Sequence, residues 1–113
     1  MSRVDIDVFQ DEMEIDKDTL KELYYVFIDE ILDENRKIQE LIKNGSIKDL
    51  KATVHNIKGV SGNYKAKKVY DKASKLNELL SNGENGDVEL LINEIGDAIG
   101  EAVEEIEDFF RVK

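Results

Sequence analysis

The sequence predicts an all-α fold, an antiparallel up-and-down four-helix bundle with a short N-terminal capping helix, in a single domain covering residues 1–113. Three observations predict it. The chain has no proline, apolar residues recur at helical spacing through four long segments, and no segment alternates apolar and polar residues between turn signals as a strand would. At 113 residues, surface scaling lets about two-thirds of the extended chain's surface be buried, enough for one core without cross-links.

The elements follow in order. Residues 5–16 carry Ile6, Val8, Phe9 and Met13 among acids and predict a short helix or turn closing one end. Thr19 and Glu22 have the spacing of a capping box and open a long helix to Asn44, with Leu20, Leu23, Phe27, Ile31, Ile38, Leu41 and Ile42 on its inner face. Gly45 supplies the stop. Ser46 and Asp49 repeat the capping pattern for a second helix bearing Ile47, Leu50, Val54 and Ile57, which ends near Gly62 and Asn63 because those types adopt the left-handed cap at least cost. A third helix is predicted from about Tyr64 to Leu80 through Val69, Ala73, Leu76 and Leu80. The loop "SNGENGD" is turn chemistry, and Asp87 can cap a fourth helix over Val88 to Arg111, with Leu91, Ile95, Ile99, Ala102, Ile106 and Phe109 in one stripe. Gly96 and Gly100 within it have a small-xxx-small spacing that reads as a place of close helix approach, with a dimer interface as the alternative.

Charge narrows the function. The formal net charge is −10, which argues against nucleic acid or an anionic membrane as partner, since phosphate backbones need lysine and arginine to displace counterions. No cysteine is present, so thiol catalysis and thiolate metal sites are excluded. The N-terminus lacks the basic start and apolar run of a signal peptide, and a cytoplasmic location with a monomer as the default is expected. The charge is uneven. Residues 1–44 carry 6 basic and 13 acidic side chains, residues 45–80 carry 8 and 3, and residues 81–113 carry 2 and 10. A basic third lies inside an acidic protein.

The single histidine, His55, lies in that third, in "HNIKGVSGNYKAKK". At about 100° per residue, the stripe of Ile47, Leu50, Val54, Ile57 and Ser61 is centred about 120° from His55, which therefore faces solvent. Lys48, Lys51, Lys58, Gly59 and Gly62 share its surface. Lysines on such a face are ordinarily there for solvation, and a late glycine is ordinarily a cap. Gly59, however, precedes the expected helix end by several residues, where glycine costs about 1 kcal/mol relative to alanine. Its missing side chain clears space one turn above the imidazole, and Lys58 sets an ammonium beside that space. These residues suit attack by an imidazole nitrogen on phosphorus, with Lys58 offsetting phosphoryl charge. Lys65, Lys68, Lys72 and Lys75 form a further cationic stripe. A chain reversal near Gly62 would return Lys68 and Lys72 to the level of His55, making Lys48, Lys51, Gly62, Lys65, Lys68 and Lys72 candidate partner-binding residues.

The run His55-Asn56-Ile57-Lys58-Gly59-Val60-Ser61-Gly62 resembles the signature of histidine phosphotransfer (HPt) domains, and is similar also to the phosphotransfer module of chemotaxis histidine kinases. The resemblance covers residues 5 to 111. It implies a four-helix bundle and a two-component phosphorelay role, with His55 carrying a phosphoryl group between receiver-domain aspartates. It also implies that Lys58 meets the phosphoryl group, that Gly59 leaves access, and that response-regulator receivers or a hybrid histidine kinase are the partners. Any Mg²⁺ would sit on the receiver, and this chain needs no cofactor of its own. Two positions depart from the pattern: Lys65 stands where the family often has glycine, and Val60 where a small polar residue is common.

No Gly-rich nucleotide loop is present, so autonomous ATP-dependent kinase activity is not expected. Two alternatives are a binding-only helical adaptor whose histidine stays unphosphorylated and a module of a larger chemotaxis-type kinase. A carboxylate-bridged metal bundle fails because it needs paired Glu-x-x-His motifs, and Ala52 stands three residues before the one histidine. No metal ligand set is assigned.

Overall fold

A computed structural model describes residues 4–44, 46–83 and 86–112. Among the described residues there are five helices: α1 (Ile6–Met13), α2 (Lys17–Asn44), α3 (Ile47–Asn63), α4 (Lys67–Ser81) and α5 (Val88–Val112). Helix α2 packs against α3 and α5, α3 against α4, and α4 against α5, so the four long helices enclose one core. Fully buried Leu20, Phe27, Ile31 and Ile38 of α2 meet Val54 and Ile57 of α3, Ala73 and Leu76 of α4, and Ile92, Ile95 and Ile106 of α5. Removing that apolar surface from water is the main stabilising term.

The core stripes follow the helical period with a few departures. Leu23, Leu41, Ile42, Leu91 and Phe109 are only partly buried, whereas Ile92, Ala98 and Phe110 lie inside. Ile47, expected on the apolar face of α3, is 49% exposed. Val8 and Met13 are also exposed, leaving Ile6 and Phe9 as the inward residues of α1. The ring of Phe9 stacks on Tyr64 at 5.0 Å and meets Tyr24 edge-on at 5.1 Å.

Helix ends are set by local hydrogen bonds. Asp16, not Thr19, caps α2: its Oδ1 accepts the Thr19 N–H at 2.8 Å and its carbonyl accepts that of Leu20. The helix therefore starts at Lys17, two residues before the expected position. These bonds to the charged form hold the Asp16 carboxyl below its ordinary range, the backbone N–H of Thr19 being the larger cause. Ser46 caps α3 as expected, its Oγ accepting from Asp49 N–H at 3.4 Å and donating to Asp49 Oδ2 at 3.0 Å. Gly45, the expected stop of α2, lies outside the described residues, as do residues 84–85 of the turn before α5. Asp87 stands immediately before α5 and its carbonyl accepts the Leu91 N–H at 2.9 Å.

Helix α3 ends at Asn63, as expected, but its left-handed capping residue differs. The left-handed residue is Lys65, with φ 62, rather than Gly62 or Asn63. Lys65 N–H donates to the Gly62 carbonyl and Ala66 N–H to that of Ser61, the paired bonds of a Schellman turn with lysine in the place glycine usually takes. Residues 64–66 are consumed by this turn, so α4 begins at Lys67 rather than near Tyr64. The turn is tied down from two sides. The N-terminal segment pairs Val4 with Ala66 in an antiparallel bridge and Asp5 N–H with the Lys65 carbonyl, and the buried Tyr24 hydroxyl donates to the Tyr64 carbonyl at 2.7 Å. Burial raises the Tyr24 phenol far above the ordinary tyrosine range. Gly96 lies against α2, where an added Cβ would stand 3.3 Å from Gln39 Nε2, but Gly100 faces open space.

Candidate functional site

Helix α3 presents His55 because its buried positions, Leu50, Thr53, Val54, Ile57 and Ser61, occupy the opposite side of the same cylinder. Thr53 Oγ1 donates to the Asp49 carbonyl at 2.9 Å, and the buried Ser61 Oγ donates to the Ile57 carbonyl at 2.6 Å, so both polar side chains on the inner face are satisfied within the helix. His55 is exposed, as are Lys48, Lys51 and Gly59 on the same helix. An added Cβ at Gly59 would meet nothing within 4 Å, so internal packing does not require glycine there. Its backbone is helical and φ is not positive, so backbone geometry does not require glycine either.

The imidazole borders a groove of about 350 Å³ whose lining comprises His55, Asn56, Gly59, Val60 and Asn63 of α3 and Glu30 and Glu34 of α2. Sequence reasoning missed these two glutamates, since nothing local tells which face of α2 stands beside α3. Glu34 is 7% exposed. Its Oε1 accepts from Lys37 Nζ at 3.2 Å, while Oε2 is buried without a hydrogen-bond partner. The hydrogen bond to Glu34 is the largest of the causes that raise the Lys37 ammonium above its ordinary range.

The lysines distribute differently from the single patch expected. Lys58 extends toward α4, its Nζ 5.9 Å from the centroid of the Tyr70 ring. Lys68 Nζ pairs with Glu101 at 2.7 Å and Lys72 Nζ with Glu94 at 2.8 Å, both on α5. The hydrogen bond from Lys72 lowers the Glu94 carboxyl. These two lysines line a groove between α4 and α5 with Gly96 and Gly100, and neither borders the His55 groove. Lys65 pairs with Glu12 of α1 at 3.0 Å, and Lys67 with Asp5 at 3.2 Å. The acids absent from the α4 stripe in sequence are supplied by other elements in space. The structure thus brings His55 and Gly59 to one groove, leaves Lys48 and Lys51 exposed on the same helix, and turns Lys58 and Gly62 toward Tyr70. Among the described residues no cluster of three or more His, Cys, Asp or Glu could hold a metal, and no helix is long and apolar enough to cross a membrane.

A family model described as "Hpt domain" matches residues 6–109. The chain belongs to the Hpt domain family. The match spans all but the ends of the protein and contains the whole of α3 and its histidine. No curated protein and no solved structure matches the chain. At Lys65 the left-handed φ is a geometry that glycine suits, and lysine holds it at some cost.

Proposed function

We propose that this Hpt domain is a phosphorelay carrier in which His55 takes a phosphoryl group from one receiver-domain aspartate and gives it to another. The observation that carries the reading is a lone imidazole, exposed on α3, with an open position one turn above it at Gly59. In the forward step the unprotonated ring nitrogen attacks phosphorus of an aspartyl phosphate. The N–P bond forms as the P–O bond to the aspartate breaks, and the carboxylate leaves with the electron pair. The reverse step returns the group to a second aspartate. Lys58 supplies charge to the phosphoryl oxygens, and Gly59 gives the receiver room to bring phosphorus within reach.

Receivers carry their Mg²⁺ among carboxylates, so the exposed Lys48 and Lys51 suit the partner, with association that weakens as salt is added. Lys65, Lys68 and Lys72 contribute to docking by exchanging their present carboxylates for the partner's. Gly62 acts through the ring seated on it. Short connections between consecutive packed helices support an antiparallel up-and-down course, with α1 covering the end near Tyr64. The same reading places the protein in the cytoplasm as a monomer that depends on a receiver or hybrid kinase for its phosphate. Incubation with a phosphorylated receiver tests it. The parent should acquire acid-labile phosphate and His55→Gln should not; equal uptake by both sinks the assignment.

A further inference from the structure

We infer that Tyr70 is a positioning residue for Lys58, holding its ammonium against α4 while His55 is unphosphorylated, and that Gly62 is the seat that lets the ring reach it. The inference rests on the reading of His55 as the phosphoryl acceptor. Three observations carry it. The Lys58 Nζ lies 5.9 Å from the Tyr70 centroid, within the range of attraction between a cation and the negative face of an aromatic ring. An added Cβ at Gly62 would stand 3.1 Å from Tyr70 Cδ1 and 3.2 Å from Cε1, so alanine there would displace the ring. Gly62 has no positive φ, so the ring rather than the backbone accounts for glycine at this position.

The neighbouring cations differ in one respect. Lys65, Lys67, Lys68 and Lys72 each hold a carboxylate. No described carboxylate pairs with Lys58, and the ring is its anchor. Neither Lys58 nor Tyr70 borders the His55 groove, so the resting ammonium lies off the path by which phosphorus approaches. A phosphoryl group on His55 presents a concentrated negative charge one turn away. A half-exposed ring is a weak competitor for the ammonium once that charge is present. The unpartnered cation can therefore leave the ring as charge develops, with no ion pair to break first.

The test uses phosphoramidate as a partner-free donor. The unprotonated ring nitrogen attacks phosphorus, the P–N bond to the ammonio group breaks, ammonia departs with that electron pair, and the second ring nitrogen keeps its proton. Tyr70→Leu removes the competing site and should take up phosphate about two- to five-fold faster. Gly62→Ala should shift the rate in the same direction. In a Lys58→Ala background, Tyr70→Leu should change nothing. The Lys58 side-chain methylene protons should show an upfield ring-current shift in the parent that Tyr70→Leu abolishes. Unchanged rates in Tyr70→Leu, or an equal change without Lys58, overturn the inference while leaving the carrier reading intact. A parent that phosphoramidate leaves unlabelled at His55 overturns both.

Discussion

Substituting Gly59 separates stability from function in opposite directions. The residue lies within α3, exposed, with helical backbone and no atom within 4 Å of an added Cβ. Alanine therefore introduces no clash and removes the conformational penalty of glycine in an exposed helix, about 0.8–1.0 kcal/mol. With an unfolding entropy of about 2.1 cal/mol/K per residue, that gain raises the melting temperature by about 4 °C. Leucine, nearly as good a helix former, should stabilise by a similar amount. Its branched side chain occupies the space one turn above His55, where the phosphorylated aspartate must enter. Displacing the reacting atoms by about 1 Å costs about a hundredfold in rate, so Gly59→Leu should transfer phosphate about a hundredfold more slowly, with Gly59→Ala between it and the parent. Thermal unfolding followed by circular dichroism and single-turnover transfer from a labelled receiver measure the two effects on the same preparations. A destabilised Gly59→Ala would show that the space is not open, and a stabilised Gly59→Leu that transfers like the parent would refute the steric-access argument.

Two further outcomes are expected. Lys65→Gly should raise stability by about 0.5 kcal/mol: relief of a left-handed non-glycine residue, about 1–2 kcal/mol, outweighs the entropy of glycine and the loss of the solvent-exposed pair with Glu12. Equilibrium urea unfolding measures this, and a less stable variant would contradict it. Stability should also fall with pH through the acid range. The carboxyls of Asp16, Asp33 and Glu94 titrate lower in the folded chain than their ordinary values of 3.8, 3.8 and 4.5. Their contribution is thus complete above those values and lost as pH falls through the depressed folded ones. Asp16→Asn, which keeps a capping oxygen but does not titrate, should flatten the acid limb of a stability–pH curve; an unaltered slope would remove Asp16 from the explanation.

Much of the site was legible along α3. The angular offset of His55 from Leu50, Val54 and Ile57 already placed the imidazole in solvent, and the odd position of Gly59 already called for a reason outside packing. Both are properties of one helix, whose 3.6-residue period depends only on its own sequence. The helix ends were less legible. Thr19 and Asp16 each have capping chemistry, and only the geometry of the preceding turn selected Asp16. Glycine and asparagine favoured a stop at Gly62 and Asn63, and α3 does end at Asn63, but the left-handed residue is Lys65, in the turn that Val4, Asp5 and Tyr24 clasp at residues 64–66.

The surroundings of His55 were decided in three dimensions. The cationic stripe of Lys65, Lys68, Lys72 and Lys75 was real in sequence, but Glu94 and Glu101, 22 and 33 residues beyond their lysine partners, neutralise two of them across the α4–α5 interface. Glu30 and Glu34 reach the histidine groove from α2 for the same reason. Sequence by itself determined the helices, their buried faces, the exposed histidine and the family signature, because each is set by residues within a turn or two of one another. Tertiary packing decided which charges oppose which, because Coulomb energy depends on distance in space and two helices can be neighbours at any separation along the chain.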